Sequence, residues 1–218
     1  MARFERIARP ASVLGEQPDR AVSAVVPIRS FYGLTRLSPI LGNAERAALM
    51  RQLAMHTVDT IRYSGIRTIV VSSDPEVAAW SAERADSVVP EPPPGGLNAA
   101  ARAGVAVVDG PWIVVHADLP ALSGPDIAAA AQHAARGMVL APSRDGGTSL
   151  IGGTGGTFPF DYGPGSFRRH LSATRGRASI LVRPGLALDL DRPWDLEALR
   201  RLGCLDAGID RNRQSPAR

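Results

Sequence analysis

Short apolar runs recur along the chain, and most are followed by a stretch in which apolar residues have helical spacing. A short run of apolar and β-branched residues that ends at a turn residue is typical of a buried strand. On this pattern we predict strands at residues 21–28, 68–72, 87–90, 112–116, 138–141, 149–152, 180–182 and 186–191.

The helical pattern is clearest at residues 45–64, where apolar side chains recur on one face. Asp74 and Pro75 have the pattern of an N-cap followed by proline at the first helical position. We expect Ser166 to cap a short helix and Pro193 to be the first residue of the last helix. The other predicted helices continue from residue 75 to about 85, cover residues 97–106 and begin at residue 124.

Strands that alternate with helices at this spacing predict an α/β fold with a mainly parallel sheet. Helices on both faces of such a sheet make a three-layer α/β/α sandwich. No internal repeat and no long linker divides the chain, so we expect one domain at residues 21–205. Residues 1–20 are expected to be a flexible extension, and residues 206–218 a polar, disordered tail.

The composition removes several kinds of chemistry. The 218-residue chain has a formal net charge of +4, and all 25 of its basic residues are arginine. Without lysine, neither a Schiff-base mechanism nor a P-loop is open to it. Acidic residues are interspersed among the arginines, so no basic stripe indicates a nucleic-acid partner.

The single cysteine and the apolar pattern bear on the compartment. Cys204 has no second cysteine for an intrachain disulfide, and one cysteine makes no Cys-rich zinc site. Residues 1–20 lack the apolar core of a signal peptide, and no stretch is apolar for long enough to cross a bilayer. We therefore expect a cytoplasmic protein with no membrane partner, and whether it forms a homodimer stays open.

Acidic residues follow two of the predicted strands. In an open α/β sheet, ligands bind beyond the carboxyl ends of the strands, and Asp118 lies two residues past the predicted strand 112–116. A carboxylate there is suited to Mg²⁺, which prefers oxygen ligands and often binds together with substrate phosphates. A solvated loop aspartate is the equally open alternative. Asp189 and Asp191 belong to the predicted strand 186–191, where alternation would place both on one side.

A glycine-containing loop before a predicted helix has the features of an anion site. At Gly163 the backbone N–H groups can approach an anion closely, and a helix that opens at Ser166 adds its N-terminal dipole. Arg168 and Arg169 fall in its first turn, where positive charge is unfavourable unless an anion is bound. Thr148 belongs to the same candidate site. The open alternative is a flexible surface loop with two solvated arginines.

Two further loops have features associated with phosphate binding. The loop after the first strand carries Arg29, Thr35 and Arg36 and can wrap a triphosphate, although its pattern alone is a weak signal. The glycine-rich residues 152–156 lack the strand–G-x-G-x-x-G–helix context of a dinucleotide site, so we discount them. His116 is expected to pack at a strand end.

Several runs between residues 22 and 202 resemble the guanylyltransferases that make the phospholactyl or phosphoenolpyruvyl intermediate of coenzyme F-420. In chain order they are VVPIR, TRL, NAERAALM, VVSSD, GLNAA, HADLPAL, APSRDGGTSL, FDYGPGSFRRHL and PGLALDLDRPWDL. GLNAA, ADLPAL and LDLDRPWDL are shared in looser form with other nucleotidyltransferases, including molybdopterin-type ones. DGGTS and YGPGSFRRH are the more specific parts.

This resemblance implies a GT-A-like nucleotidyltransferase fold and a set of site residues. GTP would lie against residues 27–37, and the implied nucleotide-binding residues are Pro27, Arg29, Thr35, Arg36, Asp74, Gly96 and Asn98. Mg²⁺ would be held by Asp118 with Asp189 or Asp191, of which we favour Asp191. Thr148, Gly163, Ser166 and Arg169 would bind the acceptor. Asp118, Asp191 and Arg36 are the implied catalytic residues.

The resemblance also implies the reaction, in which GMP passes from GTP to phosphoenolpyruvate or 2-phospho-L-lactate with release of pyrophosphate. We favour phosphoenolpyruvate because the lysine-free composition suggests a GC-rich bacterial genome. Arg29 and Leu34 occupy positions where the family has lysine, and Arg192 replaces a family threonine. A related nucleotidyltransferase with another phosphate-bearing acceptor and a catalytically impaired GTP-binding paralogue therefore stay open as alternatives.

Overall fold

The computed structural model describes residues 21–201, which form a seven-stranded sheet with seven α-helices and one short 3-10 turn at Thr35–Leu37. The strands are β1 (Ser23–Pro27), β2 (Arg67–Val71), β3 (Ser87–Val89), β4 (Pro111–Val115), β5 (Met138–Pro142), β6 (Thr148–Thr154) and β7 (Ala178–Ile180). The helices are α1 (Asn43–Tyr63), α2 (Pro75–Ala82), α3 (Leu97–Ala106), α4 (Gly124–Ala134), α5 (Ser166–Ala173), α6 (Pro184–Ala187) and α7 (Pro193–Arg201).

The predicted extension at residues 1–20 and the tail at residues 206–218 lie outside the described residues, as does Cys204. Across the described part of the chain, no helix is both long and apolar enough to span a bilayer. The cytoplasmic location stays a prediction.

The strand order is β3-β2-β1-β4-β6-β5-β7. Six strands run in one direction, and β6 alone is antiparallel to its two neighbours, β4 and β5. The prediction of a mainly parallel sheet is therefore confirmed. β1 is an interior strand with β2 on one side and the central strand β4 on the other, so its carboxyl end lies between theirs at one edge of the sheet.

Alternation along β1 divides the core into two layers. Ala24 and Val26 pack with the buried residues of α1, α2 and α4 on one face of the sheet. Val25 packs with α3 and with the aromatic segment 158–162 on the other face, which α5 also covers. The predicted three-layer sandwich is therefore confirmed. At Gly104 of α3 the absence of a Cβ lets the helix approach β1 and β2, because a Cβ would lie 2.9 Å from a methyl of Val71.

Several predicted helix boundaries are confirmed by their caps. The Asp74 carboxylate accepts two backbone N–H groups of the first turn of α2, as its place before proline predicted. Pro193 is the first residue of α7, and Asp195 lies in the first turn. The Asp195 carboxylate accepts the backbone N–H of Arg192 at 2.9 Å. The arginine side chain has no acceptor atom and could not satisfy this donor.

Two local predictions are wrong. Residues 186–191 do not form a strand, because the proline at position 184 begins the short helix α6 and the chain beyond it is irregular. Ser166 does not cap α5. The cap is Gly165, whose φ of 68 is a left-handed conformation that glycine adopts readily, and Ser166 is the first helical residue.

Candidate active site

A cavity of about 300 Å³ opens at the carboxyl ends of β1 and β4, where ligands bind in open α/β sheets. This volume is within the range of small-molecule sites. Three of the predicted site residues, Pro27, Arg29 and Asp118, line the cavity. The first loop, the Asp118 loop and the beginning of α3 thus share one cleft. The other lining residues are Ile28, Ser30, Met50, Glu91, Leu97, Ala100, His116 and Ala117.

Asp118 lies in this cleft within an acidic group that also contains Asp145, Asp189 and Asp191. Within residues 21–201, the Oδ1 atom of Asp118 is buried and has no hydrogen-bond partner. Burial raises the pKa of Asp118 to about 6, and the charges of Asp191 and Asp145 add to the effect. Burial also raises the pKa of Asp189 to about 7, followed by repulsion from Asp118. These carboxylates therefore oppose one another's ionisation.

One backbone hydrogen bond brings the two acidic runs together. The N–H of Leu190 donates to the carbonyl oxygen of Asp118 at 3.0 Å, and Asp189 and Asp191 flank Leu190 in the chain. Leu190 itself is fully buried among leucines of α1 and α7. The carboxylates thus reach the Asp118 loop through an irregular segment that the buried Leu190 anchors, and not through the strand alternation expected from the sequence.

The acidic group offers carboxylate oxygens, which are the kind of ligand that a hard cation takes. No group of three or more His, Cys, Asp or Glu residues in the described part of the chain is placed to hold a metal ion together. Two carboxylates, one with an unpartnered buried oxygen, nevertheless fit a hard cation that takes its other ligands from water and phosphate. Asp118 and Asp189 fit best, because Asp191 already pairs with Arg36.

Arg36 and Leu34 have different roles in the first loop. Arg36 lies in the exposed 3-10 turn, where its Nη1 pairs with Oδ2 of Asp191, and this ion pair raises the pKa of Arg36. Leu34 adopts a left-handed φ of 52 and packs, partly buried, against two apolar clusters of the core. Leu34, at a position where the resemblance implied lysine, is therefore an apolar anchor for the loop that carries Thr35 and Arg36.

The structure places Glu91, and not Asp74, in the cleft. The Asp74 carboxylate caps α2 and does not line the cavity. Glu91 does line it, and its Oε1 accepts the backbone N–H of Gly96, the N-cap of α3. In the first turn of α3, Oδ1 of Asn98 accepts the N–H of Tyr162 at 2.7 Å, which ties α3 to the loop before α5. Sequence reasoning missed Glu91, although a carboxylate directly before PPPGGLNAA was an available signal.

Three buried polar side chains meet at the beginning of α5. Thr148 Oγ1 lies 3.2 Å from Ser166 Oγ and 2.9 Å from His170 Nδ1. The other ring nitrogen of His170, Nε2, accepts the backbone N–H of Asp161 at 2.9 Å. The structure thus brings the predicted residues Thr148 and Ser166 together, beside the turn at Gly163, where φ is 134. His170 was missed, because nothing in the pattern of one short helix shows that a histidine contacts β6.

Arg169 holds the same loop together. Its Nη1 donates to the carbonyl oxygen of Pro164 at 2.7 Å, and its Nη2 donates to that of Asp161 at 2.9 Å. Its Nε lies 2.7 Å from the Asp161 carboxylate. The guanidinium, which we expected to bind the acceptor, therefore supports the loop that carries Gly163.

The aromatic segment 158–162 packs between the cavity wall and the Thr148 cluster. The ring centroid of Tyr162 lies 5.1 Å from that of His116, which lines the cavity, and 4.9 Å from that of His170. His116 packs at the end of β4, as predicted, and burial lowers its pKa to about 4. The wall of the cavity is therefore joined to the Thr148 cluster by packed rings, and the acidic group adjoins the cavity at Asp118.

The fold is similar to those of solved nucleotidyltransferases. A nucleotidyl transferase from Methanothermobacter thermautotrophicus matches with a TM-score of 0.58 at 17% identity, covering 84% of this chain and 97% of that one. The 4-diphosphocytidyl-2C-methyl-D-erythritol synthase of Anaerococcus prevotii matches with a TM-score of 0.56 at 12% identity, covering 84% and 99%. The expected nucleotidyltransferase-like fold is therefore confirmed.

Comparison with sequence relatives identifies the family to which the chain belongs. The phosphoenolpyruvate guanylyltransferase of Rubrobacter xylanophilus is 35% identical over 84% of this chain and 95% of its own. The 3-phospho-D-glycerate guanylyltransferase of Phenylobacterium zucineum is 35% identical over 83% and 90%, and the 2-phospho-L-lactate guanylyltransferase of Halomicrobium mukohataei is 33% identical over 79% and 82%. The family profile described as "Guanylyl transferase CofC like" matches residues 22–199. The chain therefore belongs to the CofC-like family of guanylyl transferases.

Proposed function

We propose that this chain transfers the GMP unit of GTP to the phosphate of a small phosphorylated carboxylic acid and releases pyrophosphate. The observation that carries the proposal is that Asp118 lines the cavity and has an unpartnered buried oxygen, while the buried hydroxyls of Thr148 and Ser166 are linked to the cavity wall through the packed rings of His170, Tyr162 and His116. The relatives support it, because the acids in their names (phosphoenolpyruvate, 2-phospho-L-lactate and 3-phospho-D-glycerate) each carry one phosphate and one carboxylate.

In the proposed step, a phosphate oxygen of the acid attacks the α-phosphorus of GTP. A new P–O bond forms, the bond from the α-phosphorus to the bridging oxygen breaks, and pyrophosphate leaves with the electron pair. The second pKa of a phosphate monoester is about 6, so the nucleophile is already ionised at neutral pH and needs no general base. Catalysis then depends on positioning two polyanions and offsetting their repulsion.

Two arginines are the proposed contacts of the departing phosphates. Arg29 is exposed on the cavity wall, and Arg36 lies at the acidic group through its ion pair with Asp191. A guanidinium offers forked N–H donors that match phosphate oxygens. Thr148 and Ser166 are proposed to bind the acid, because an anion needs donors and the N-terminus of α5 favours negative charge.

The proposed cofactor is Mg²⁺, held by Asp118 and Asp189. A divalent cation held by these two carboxylates would neutralise charge on the transferring phosphates. Burial and mutual repulsion raise the pKa of both carboxylates, and a cation relieves both effects. The sequence favoured Asp191 over Asp189 as the second ligand, but the pairing of Asp191 with Arg36 now favours Asp189.

Among the acids, we favour phosphoenolpyruvate, which is the acceptor named for the Rubrobacter xylanophilus relative. The product would then be the guanosine-linked phosphoenolpyruvyl intermediate of coenzyme F-420 biosynthesis. A direct test measures pyrophosphate release from GTP and Mg²⁺ with each of the three acids, for the wild type and for Asp118→Ala. We expect release that depends on the acid and is lost in the variant.

The same experiment separates the alternatives. Release with a pterin phosphate or a sugar phosphate, but with none of the three acids, would indicate a related nucleotidyltransferase. GTP binding by calorimetry without any product would indicate a non-catalytic paralogue. The absence of release with every acid and every nucleotide would contradict the proposed activity.

A further inference from the structure

The buried cluster of Thr148, Ser166 and His170 contains an ambiguity that its surroundings resolve. Either hydroxyl can be the donor in the contact between Thr148 and Ser166, because a hydroxyl both donates and accepts. Which one donates decides whether the cluster offers an anion a hydrogen or a lone pair. An anion accepts hydrogen bonds and donates none, so this direction matters for the acceptor site proposed above.

The backbone N–H of Asp161 determines the tautomer of His170. A peptide N–H is only a donor, and it lies 2.9 Å from Nε2, so Nε2 must carry a lone pair. Burial lowers the pKa of His170 to about 4, so the ring is neutral at pH 7. A neutral imidazole with a bare Nε2 carries its proton on Nδ1. Nδ1 therefore donates to Thr148 Oγ1, at 2.9 Å.

The direction of the remaining bonds follows. Thr148 Oγ1 accepts from His170, so the hydroxyl proton of Thr148 is left to donate, and Ser166 Oγ is within its reach at 3.2 Å. The proton of the Ser166 hydroxyl, at the first residue of α5, is then left to donate to a group other than Thr148. With the opposite tautomer, Nδ1 would take the Thr148 proton, and Nε2–H would face another N–H.

We infer that His170 is a positioning residue, which orients the Thr148 hydroxyl as a donor to Ser166 and so leaves the Ser166 hydroxyl to donate to the anionic group of the acid acceptor. The inference rests on the proposed function for the identity of the ligand. Successive donors aligned in one direction also polarise one another, which strengthens the last bond. The His170 ring packs against Tyr162 and Phe158, whose ring centroids lie 4.9 Å and 5.7 Å from its own. Its orientation is therefore set by packing as well as by hydrogen bonds.

The first part of the test uses the wild-type protein and does not depend on activity. Histidine labelled with ¹⁵N distinguishes a protonated ring nitrogen from a bare one, and the spectrum of His170→Gln assigns the signal among the four histidines. We expect His170 to be neutral at pH 7 with its proton on Nδ1. A proton on Nε2, or a doubly protonated ring, would overturn the inference.

The second part separates the two bonds of the ring with two variants. In His170→Gln the amide oxygen can take the place of Nε2 and accept from Asp161, but the donor to Thr148 is lost. In His170→Asn the amide nitrogen can take the place of Nδ1 and donate to Thr148, but the acceptor for Asp161 is lost. We expect His170→Gln to raise the KM for the acid by about tenfold while the KM for GTP changes by less than about twofold. We expect His170→Asn to affect the acid less and to lower the melting temperature more.

A double-mutant cycle with Thr148→Val shows whether His170 acts through Thr148. If it does, adding His170→Gln to Thr148→Val leaves the KM for the acid unchanged. Multiplicative effects in the double variant, or equal increases in the KM for GTP and for the acid, would overturn the inference. If the wild type transfers GMP to no acid at all, the proposed function fails, while the tautomer measurement still decides the direction of the chain.

Discussion

The acidic group predicts that the substitution of a functional residue stabilises the ligand-free protein. Burial and the neighbouring carboxylates raise the pKa of Asp118 from its ordinary value of 3.8 to about 6. The folded state therefore binds the proton of Asp118 more tightly than the unfolded state, and it loses stability as the pH rises through this interval. Asp118→Asn removes the charge and leaves a side chain of nearly the same shape.

The magnitude follows from the two pKa values. One pKa unit corresponds to about 1.4 kcal/mol, so ionised Asp118 destabilises the fold by about 3 kcal/mol once the pH is well above 6. At pH 5 the group is mostly protonated in the folded state, and the difference falls to about 2 kcal/mol. We therefore expect Asp118→Asn to be more stable than the wild type in EDTA, and by a larger margin at pH 8 than at pH 5.

Urea unfolding of both proteins at the two pH values measures this difference. Asp59→Asn is a matched control, because Asp59 lies on α1 about 13 Å along the helix from Met50, which lines the cavity. We expect the control to show no comparable gain. A less stable Asp118→Asn at pH 8, or a gain that does not depend on pH, would refute the reasoning.

The same pair of proteins tests the proposed metal site without an activity assay. We expect Mg²⁺ and GTP together to raise the melting temperature of the wild type and to leave that of Asp118→Asn nearly unchanged, because the substituted site no longer holds the cation. We also expect guanylyl transfer by the variant to fall by about a hundredfold or more. An equal rise in melting temperature for both proteins would contradict the assignment of Asp118.

Three further predictions concern other parts of the fold. We expect Glu91→Gln to raise the KM for GTP by about tenfold and to leave any activity with ATP unchanged. A carboxylate can pair with the N–H groups of guanine, whereas adenine lacks the ring N–H. Steady-state kinetics with both nucleotides checks this. Burial lowers the pKa of His170 from 6.5 to about 4, so the native state loses stability as the pH falls through this interval. Between pH 7 and pH 5, urea unfolding should show the wild type losing about 2 kcal/mol relative to His170→Gln. Parallel pH dependences of the two proteins would contradict this expectation. Gly104→Ala should cost about 1–3 kcal/mol, because its Cβ would lie 2.9 Å from a methyl of Val71, and an unchanged urea midpoint would show that the interface can adjust.

Much of the fold was predictable because its signals are local. The apolar run of β1, the helical spacing of α1 and the proline and aspartate at the beginning of α2 each depend on neighbouring residues alone. The prediction failed at residues 186–191, where alternating leucines and aspartates have the pattern of a strand. A strand also needs a partner strand. Among the described residues, this segment makes a single backbone hydrogen bond to the Asp118 loop, from the N–H of Leu190.

The sequence by itself determined the class of fold, the family and the runs that carry Asp118, Thr148 and Ser166, since motifs are strings of neighbouring residues. Only the tertiary structure decided which of these side chains meet. Glu91 enters the cleft through its bond to the N-cap of α3, and His170 reaches Thr148 on a strand 22 positions earlier. Arg169, which the sequence predicted to bind the acceptor, instead donates hydrogen bonds to backbone carbonyl oxygens of its own loop. Such pairings depend on how helices pack on the sheet, and helical or strand periodicity carries no information about partners distant in the chain.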